Sequence, residues 1–543
     1  MPLKTFGKLQ SGNPSSLEFG FYGFEGGLNV KGAPQLIRDN ELTIATNGYL
    51  RPDGAFQMRN GMLAYGVNVA AYPLYLTRFF QLVKNGTSIT EVVKLLGVCN
   101  GTLYDISAGS NTNIGSVGGT TAQAPTFVRF ENPNDPNFAS GLTDCIVICT
   151  GVGGPYVYDG TNLYTPGGWS AAAGARWCEI VNGIIWFGQI PAFPNQVFGT
   201  GDGITASMES LPGYRNFVFS QPVVGLKAQG TGATASLVVA LNTGISVLYG
   251  TGPSTFFLQD IPWNDGVISG RAMASYSGVI FFLGHAAVYS FDAQTIPQPI
   301  SSKIEPWILN DQFTAGFPMT QNQNLAWMKV YNNRLHIGYC SNSVTLNTIL
   351  CYDLSIKAWT VLQTTPGLAS MALLDAPGDP DPYTCYVGSV NGNVYQWDYV
   401  PSSGSNLTYD GTTPVLAQVQ SKYFKLGVPG TNKSLTRFSP EYLVTGIFQT
   451  TFTVSTDYGL VTTQTQISSA VNPTNTLLWD TGLWDLGVWA GPVPFLPFGP
   501  PTSRLDFPGI QGESFAFGVS TSTPQSPWIW SGGSGVFVQQ GRT

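Results

Sequence analysis

The sequence predicts an all-β protein: a β-propeller of about six to eight blades with an additional C-terminal β-sandwich or jelly-roll domain. Three observations carry this. Residues 325–363 read as four short strands in succession. The same unit, an apolar strand, an Asn-Gly-type turn and a second apolar strand, recurs along most of the chain. Helical periodicity is nearly absent from a chain that holds 65 Gly and 37 Pro.

Residues 325–363 set the pattern. Ala326–Tyr331 alternates Trp327, Lys329 and Tyr331 with Ala326, Met328 and Val330. Asn332-Asn333 follows as a turn pair, since Asn tolerates the left-handed backbone of a two-residue hairpin. Arg334–Cys340, Thr348–Leu354 and Ala358–Gln363 complete four strands, which is one blade. A lone blade cannot bury both faces, so it needs neighbours. They are found at 92–107 (turn Asn100-Gly101), 145–165, 178–189 (Asn182-Gly183), 237–250 (Asn242–Gly244), 274–292 (Ser277-Gly278) and 384–399 (Asn391-Gly392). Many close on an aromatic residue followed by Asp: Tyr104-Asp105, Tyr158-Asp159, Phe291-Asp292, Trp397-Asp398. Such an Asp is expected to accept backbone N–H bonds in the turn that follows. The alternative architecture is an irregular stack of β-sandwiches.

The domain order read from the chain is an N-terminal extended and β segment at 1–75, the propeller at 76–400, a linker at 401–420 and a β-sandwich at 421–543. Asp39–Thr46 is the best helix candidate, at most about two turns. In the C-terminal part Trp479, Trp484 and Trp489 recur at a spacing that fits neither strand nor helix. They read as loop-borne aromatics packing on a sheet or on a neighbouring subunit, with sugar stacking as the alternative.

Charged residues make up only 10% of the 543 and the net charge is −7. So little charge suits a protein that covers its surface with other subunits. No Lys/Arg run and no basic stretch interleaved with aromatics is visible along the chain, which argues against gripping nucleic acid. Seven Cys, an odd number without a CxxC, read as buried reduced thiols, consistent with assembly in a cytosol. Cys145 and Cys149 with a distant His, of which there are only His285 and His336, read as core rather than metal ligands. The start lacks an apolar signal region, and no run reaches the length of a membrane-spanning helix.

Chemistry is not indicated. Gly-Thr-Gly-Asp-Gly at 199–203 and Gly-Thr-Gly at 230–232 and 250–252 resemble phosphate loops in composition only, since no helix follows them. Asp-box repeats and a GxSxG are missing. Carboxylates are too numerous to nominate a pair. The expectation is no catalytic residue, no metal and no cofactor.

Residues 25–62 have a different character. They carry Gly26-Gly27 before a short strand, Pro34, Asp39, Asn47, Asp53-Gly54, and Arg59 and Gly61 around Asn60. This run resembles the N-terminal region of the tail nozzle proteins of short-tailed bacteriophages, also called tail tubular protein B; where that family usually has Pro before the last Gly, this chain has Asn60. The resemblance covers about 40 residues closely and extends downstream only at the level of fold. It implies β-propellers with added β domains, a homo-oligomeric ring, a hexamer, at the distal end of a virion tail, assembled in the host cytoplasm. It also implies contacts with a phage tail adaptor protein and with tail fibre or spike proteins, passage of viral DNA through the lumen without sequence-specific binding, and no membrane insertion. An axial lumen free of Lys and Arg clusters is expected to let DNA slide. Two other readings stand beside it: a carbohydrate-binding or carbohydrate-active propeller for host recognition, and another phage tail or head-completion protein sharing the run.

Overall fold

The computed structural model describes residues 16–539 apart from short internal stretches, the longest being 132–143, 201–215 and 469–504. The described chain is almost entirely β-strand and divides into two compact units, one of residues 63–349 and 364–397, the other of 1–62, 350–363 and 398–543. No helix among the described residues is long and apolar enough to cross a membrane.

The first unit is a β-propeller. Six four-stranded antiparallel sheets follow one another, opening with strands Leu74–Asn85, Thr126–Glu131, Trp177–Val181, Val223–Gln229, Met273–Tyr276 and Leu368–Leu374. Between the last two lies the hairpin Trp327–Tyr331 and Arg334–Tyr339. The run beginning at Trp327 is thus shared out: its first hairpin counts with the propeller, while Thr348–Asp353 lies mostly, and Ala358–Gln363 wholly, in the other unit. Among the described residues the opening strands from Thr126–Glu131 round to Leu74–Asn85 neighbour one another in order, and Leu74–Asn85 meets the next blade through Asp144–Cys149. The ring closes where Ser370 Oγ accepts from Leu76 N at 2.8 Å and donates to the Leu74 carbonyl at 2.9 Å. The last blade takes its outer strand, Leu63–Ala64, from residues that precede the first (Tyr395↔Ala64).

The blades form for the reasons the sequence suggests. Two-residue turns sit between Cys99 and Thr102, Val181 and Ile184, and Tyr331 and Arg334. Their Asn100, Asn182, Asn332 and Asn333 all have positive φ. Apolar clusters fill the gaps between adjacent sheets; one joins Val147, Val157, Trp169, Cys178 and Phe187. All seven Cys are buried and unbridged. Cys145 and Cys149 belong to that same apolar cluster, and burial pushes the Cys99 and Cys340 thiols up to about 11.

The second unit contains two sheets packed face to face. One has Gly48–Leu50, Phe56–Met58, Trp528–Gln539, Lys433–Val444 and Leu505–Gly512 in that order, with Ser16–Tyr22 also on Trp528–Gln539. The other includes Ala358–Gln363, Glu41–Thr46, Gln418–Ser421, Phe515–Thr523, Phe448–Thr456 and Leu460–Ser468. Phe21 and Phe438 from the first sheet meet Phe517 from the second at ring separations of 5.3 and 4.6 Å, and Phe24 packs on Trp530 at 4.9 Å. A sandwich is therefore present, but it is built from both chain ends plus residues 350–363, not from 421–543 with a separate N-terminal segment.

Two expectations are corrected. Glu41–Thr46 is a strand, not a helix: Thr43, Ile44 and Thr46 are β-branched, and the segment pairs on both edges, with Val361 and with Gln418–Ser421. Nor are residues 408–420 a passive linker; they supply Asp410 to a buried ion pair and a strand to the sandwich. Trp479, Trp484 and Trp489 lie outside the described residues, as does part of 199–203.

Candidate functional site

Every position that carries the nozzle resemblance lies in the sandwich unit, and most of them make a specific backbone or side-chain contact there. Gly27 opens the short strand Gly27–Leu28, parallel to Glu41-Leu42, at φ +66°, and its α-carbon faces the Trp359 backbone so closely that a Cβ would meet it at 2.9 Å. Only Gly satisfies both demands. The N–H of the preceding Gly26 donates to the Asn40 carbonyl at 3.0 Å. The Pro34 carbonyl accepts from Tyr423 N at 3.0 Å, and Asp39 pairs with Lys422 at 2.7 Å. Asp53 accepts from Ala55 N at 3.1 Å, and the Gly54 carbonyl receives Phe24 N at 2.7 Å.

Asn47 and Arg59 form the centre. Asn47, buried with φ 57°, uses its whole polar inventory. Its N–H donates to Val361 O (2.8 Å), its amide to Leu416 O (2.8 Å), its side-chain oxygen accepts from Gln363 N (2.7 Å), and its carbonyl from Arg59 N (3.0 Å). Arg59 is 1% exposed. It grips Asp410 through both terminal nitrogens, at 2.8 and 2.5 Å, and donates to the Gln363 and Asn60 carbonyls at 3.0 Å each. Burial opposes the Arg59 charge, but Asp410 outweighs it and holds the guanidinium above its ordinary range. Asn60, where proline is usual, keeps an N–H and gives it to Asp398 at 3.1 Å. At Gly61 a Cβ would overlap the Tyr409 backbone. The cluster thus ties three distant chain segments together. Sequence reasoning missed Asp410 and Gln363; the one available signal was that Asp410-Gly411 resembles a turn in a stretch otherwise read as linker.

The aromatic-Asp endings do what their sequence suggests. Asp105, Asp159 and Asp292 each accept from the backbone N–H two residues on, at 3.1, 2.8 and 3.0 Å, and Asp353, which follows Tyr352 but is not among the endings read from sequence, does the same at 2.9 Å. Asp398 departs from this: it has φ 53° and turns its carboxylate to Asn60.

The propeller has an open cavity of about 880 Å3 lined largely by its opening strands. Lys227, Arg271 and Lys329 reach it, with Tyr75, Tyr276 and Tyr331. Cations separated by dozens of residues therefore converge where no basic stretch shows along the chain. Arg271 lies 4.7 Å from the Tyr75 ring centre and donates to the Leu325 and Ala369 carbonyls at 3.4 and 2.5 Å. Burial holds the Arg271 and Arg176 guanidiniums below the ordinary arginine range, and the charge of Arg176, which stacks 5.0 Å from Trp177, lowers Arg271 further. Lys227 pairs with Glu179 at 2.8 Å. Desolvation and then the Lys227 charge hold the Lys329 ammonium below its ordinary range. No carboxylate lines the cavity among the described residues.

No protein-family model matches the chain, and no curated protein does. Solved structures with similar strand arrangement are propellers. The BBS1 N-terminal domain, from a complex with ARL6, is 8% identical, with 64% of this chain and 99% of that one aligned at a TM-score of 0.40. The Pan2 WD40 domain of Neurospora crassa is 11% identical over 51% and 89%, TM-score 0.30. The SCAP WD40 domain of fission yeast is 10% identical over 79% and 81%, TM-score 0.22.

Proposed function

We propose that this chain is a structural virion protein, the nozzle-like component at the distal end of a short-tailed phage tail. One observation supports the reading above the others: the nine positions of the resemblance all fall in the sandwich unit, and two of them, Asn47 and Arg59, form its buried polar network. Residues that form a shared structural core are what a family run should contain if it encodes architecture rather than chemistry. The low charge content adds to this, because a sparsely charged chain gains from burial in an assembly.

The part so proposed is a passage, not a catalyst. Like subunits around an axis close by heterologous contacts into a ring, here a hexamer. Its neighbours are the tail adaptor on one side and fibres or spikes on the other, with viral DNA passing through the lumen without sequence-specific contacts. Light scattering across a concentration range, with negative-stain images of the same sample, tests it: rings are expected, alone or on addition of the adaptor. A monomer that never associates with itself or with tail components overturns the reading and returns weight to a sugar-binding propeller or a head-completion protein.

A further inference from the structure

The propeller cavity holds an imbalance of charge that the assembly reading does not use. Lys227, Arg271 and Lys329 line it, Arg176 lies within charge range of Arg271, and Glu179 is the one carboxylate within interaction range of the group among the described residues. That carboxylate is taken by Lys227 at 2.8 Å. Arg271 is satisfied by two backbone carbonyls and the Tyr75 ring, none of which neutralises it. The Lys329 side chain is exposed, and its ammonium has neither ion pair nor hydrogen bond among the described residues. Each of these side chains stands on or beside an opening strand, and those strands are locked to their neighbours: Trp327 Nε1 donates to Leu368 O at 2.8 Å and Thr126 Oγ1 to Arg176 O at 2.7 Å. The cations therefore cannot relax apart by moving the backbone. Lys329 is exposed to solvent and stands on the same cavity wall as Arg271, so an anion entering the cavity meets both charges.

We infer that the cavity is a binding site for a phosphorylated small molecule of the nucleotide class, its phosphates against Lys329 and Arg271 and its ring system against the aromatic side chains of the lining. The cavity has room for more than a bare phosphate: about 880 Å3 lies within the range of about 300–1,000 Å3 that takes whole small molecules. The walls supply both halves of such a ligand. Phosphate meets ammonium and guanidinium groups. Tyr276, 40% exposed, and Tyr331 flank the turn Asn332-Asn333 that borders the cavity and offer rings for stacking. The Tyr276 hydroxyl donates to Asn333 Oδ1 at 3.3 Å, which fixes the ring at that border. This inference is independent of the nozzle proposal.

The test is titration calorimetry on the full chain with a nucleoside triphosphate, pyrophosphate, a hexa-aspartate peptide and an uncharged oligosaccharide, at low and high salt. The triphosphate is expected to bind best, pyrophosphate more weakly, both losing affinity with salt. Lys329→Gln should weaken the triphosphate at least about tenfold, with an unchanged melting temperature of the free protein. Ser275→Lys, which adds a cation to the cavity lining, should tighten it, so the assignment stays open to refutation even if the first variant folds poorly. Absence of triphosphate binding overturns the inference, as does binding insensitive to both substitutions. Tighter binding of the acidic peptide or of the oligosaccharide also overturns it, and equal binding of pyrophosphate overturns the placement of the ring system.

Discussion

Arg59 shows how a single side chain can be read in sequence as a motif letter and in structure as a joint. Its guanidinium is bonded to Asp410, Gln363 and Asn60 in a site closed to water. Asp410→Asn removes the counter-charge and leaves the cation buried. The expected loss is about 3–5 kcal/mol in urea unfolding, with more lost than in a double replacement by apolar residues. A second residue sets the acid limit of the fold. His336 is buried between Tyr331 and Trp397, with Nδ1 3.2 Å from the Arg334 carbonyl. Burial first, and then the Arg334 charge, push it from 6.5 down to about 3. Because the folded value is depressed, the unfolded chain binds the proton first as pH falls. Stability is intact above about pH 6.5 and declines toward pH 3, at about 1.4 kcal/mol per pH unit from this group. His336→Gln should flatten that part of the stability–pH curve relative to the parent. Neither role was visible in sequence. Arg59 could be recognised but not its partner, which lies 351 residues away, and a lone histidine in a strand carries no mark of how deeply it is buried.

At the scale of elements, local rules and tertiary rules part company. Hairpins governed by their own turn residues were legible almost to the residue: Ala358–Gln363 and the Asn332-Asn333 turn agree with the sequence reading. Asp159 receives Thr161 N and Asn162 N at 2.8 and 2.6 Å. Asp159→Ala should therefore cost about 1–3 kcal/mol and accelerate amide exchange at Thr161 and Asn162, read by hydrogen exchange. Glu41–Thr46 was misread because its short polar-apolar pattern is ambiguous and its state is decided by partners at Val361 and Gln418, both far along the chain. The short strand at Gly27 belongs to the same network. Gly27→Ala should destabilise by at least about 1 kcal/mol, since it combines φ +66° with contact on the Trp359 backbone, and the shift should appear in the melting temperature.

For the molecule as a whole, the propeller was legible because its repeats are local, whereas the division into units was not, because the sandwich is drawn from three separated segments. Linear composition suggested boundaries at 75, 400 and 420, yet the chain leaves the sandwich at 62, returns for 350–363 and returns again at 398. It follows that a fragment spanning 63–397 carries Ala358–Gln363 without the strand Glu41–Thr46 that pairs it. Such a fragment should aggregate, or melt with lower cooperativity than the full chain, through that uncovered edge. The cationic cavity was hidden for the same reason as the sandwich: its charges are single letters on separate blades.

The outer strand of the last blade has a consequence in time. Leu63–Ala64 waits for Val394–Gln396, made roughly 330 residues later. At about 5–20 residues per second, a ribosome takes roughly 20–70 s to deliver that partner. Throughout that interval the nascent propeller is an open arc, and the early part of the sandwich has no mate. Translation speed, rather than the folded state's stability, then governs how much of the protein reaches its closed form.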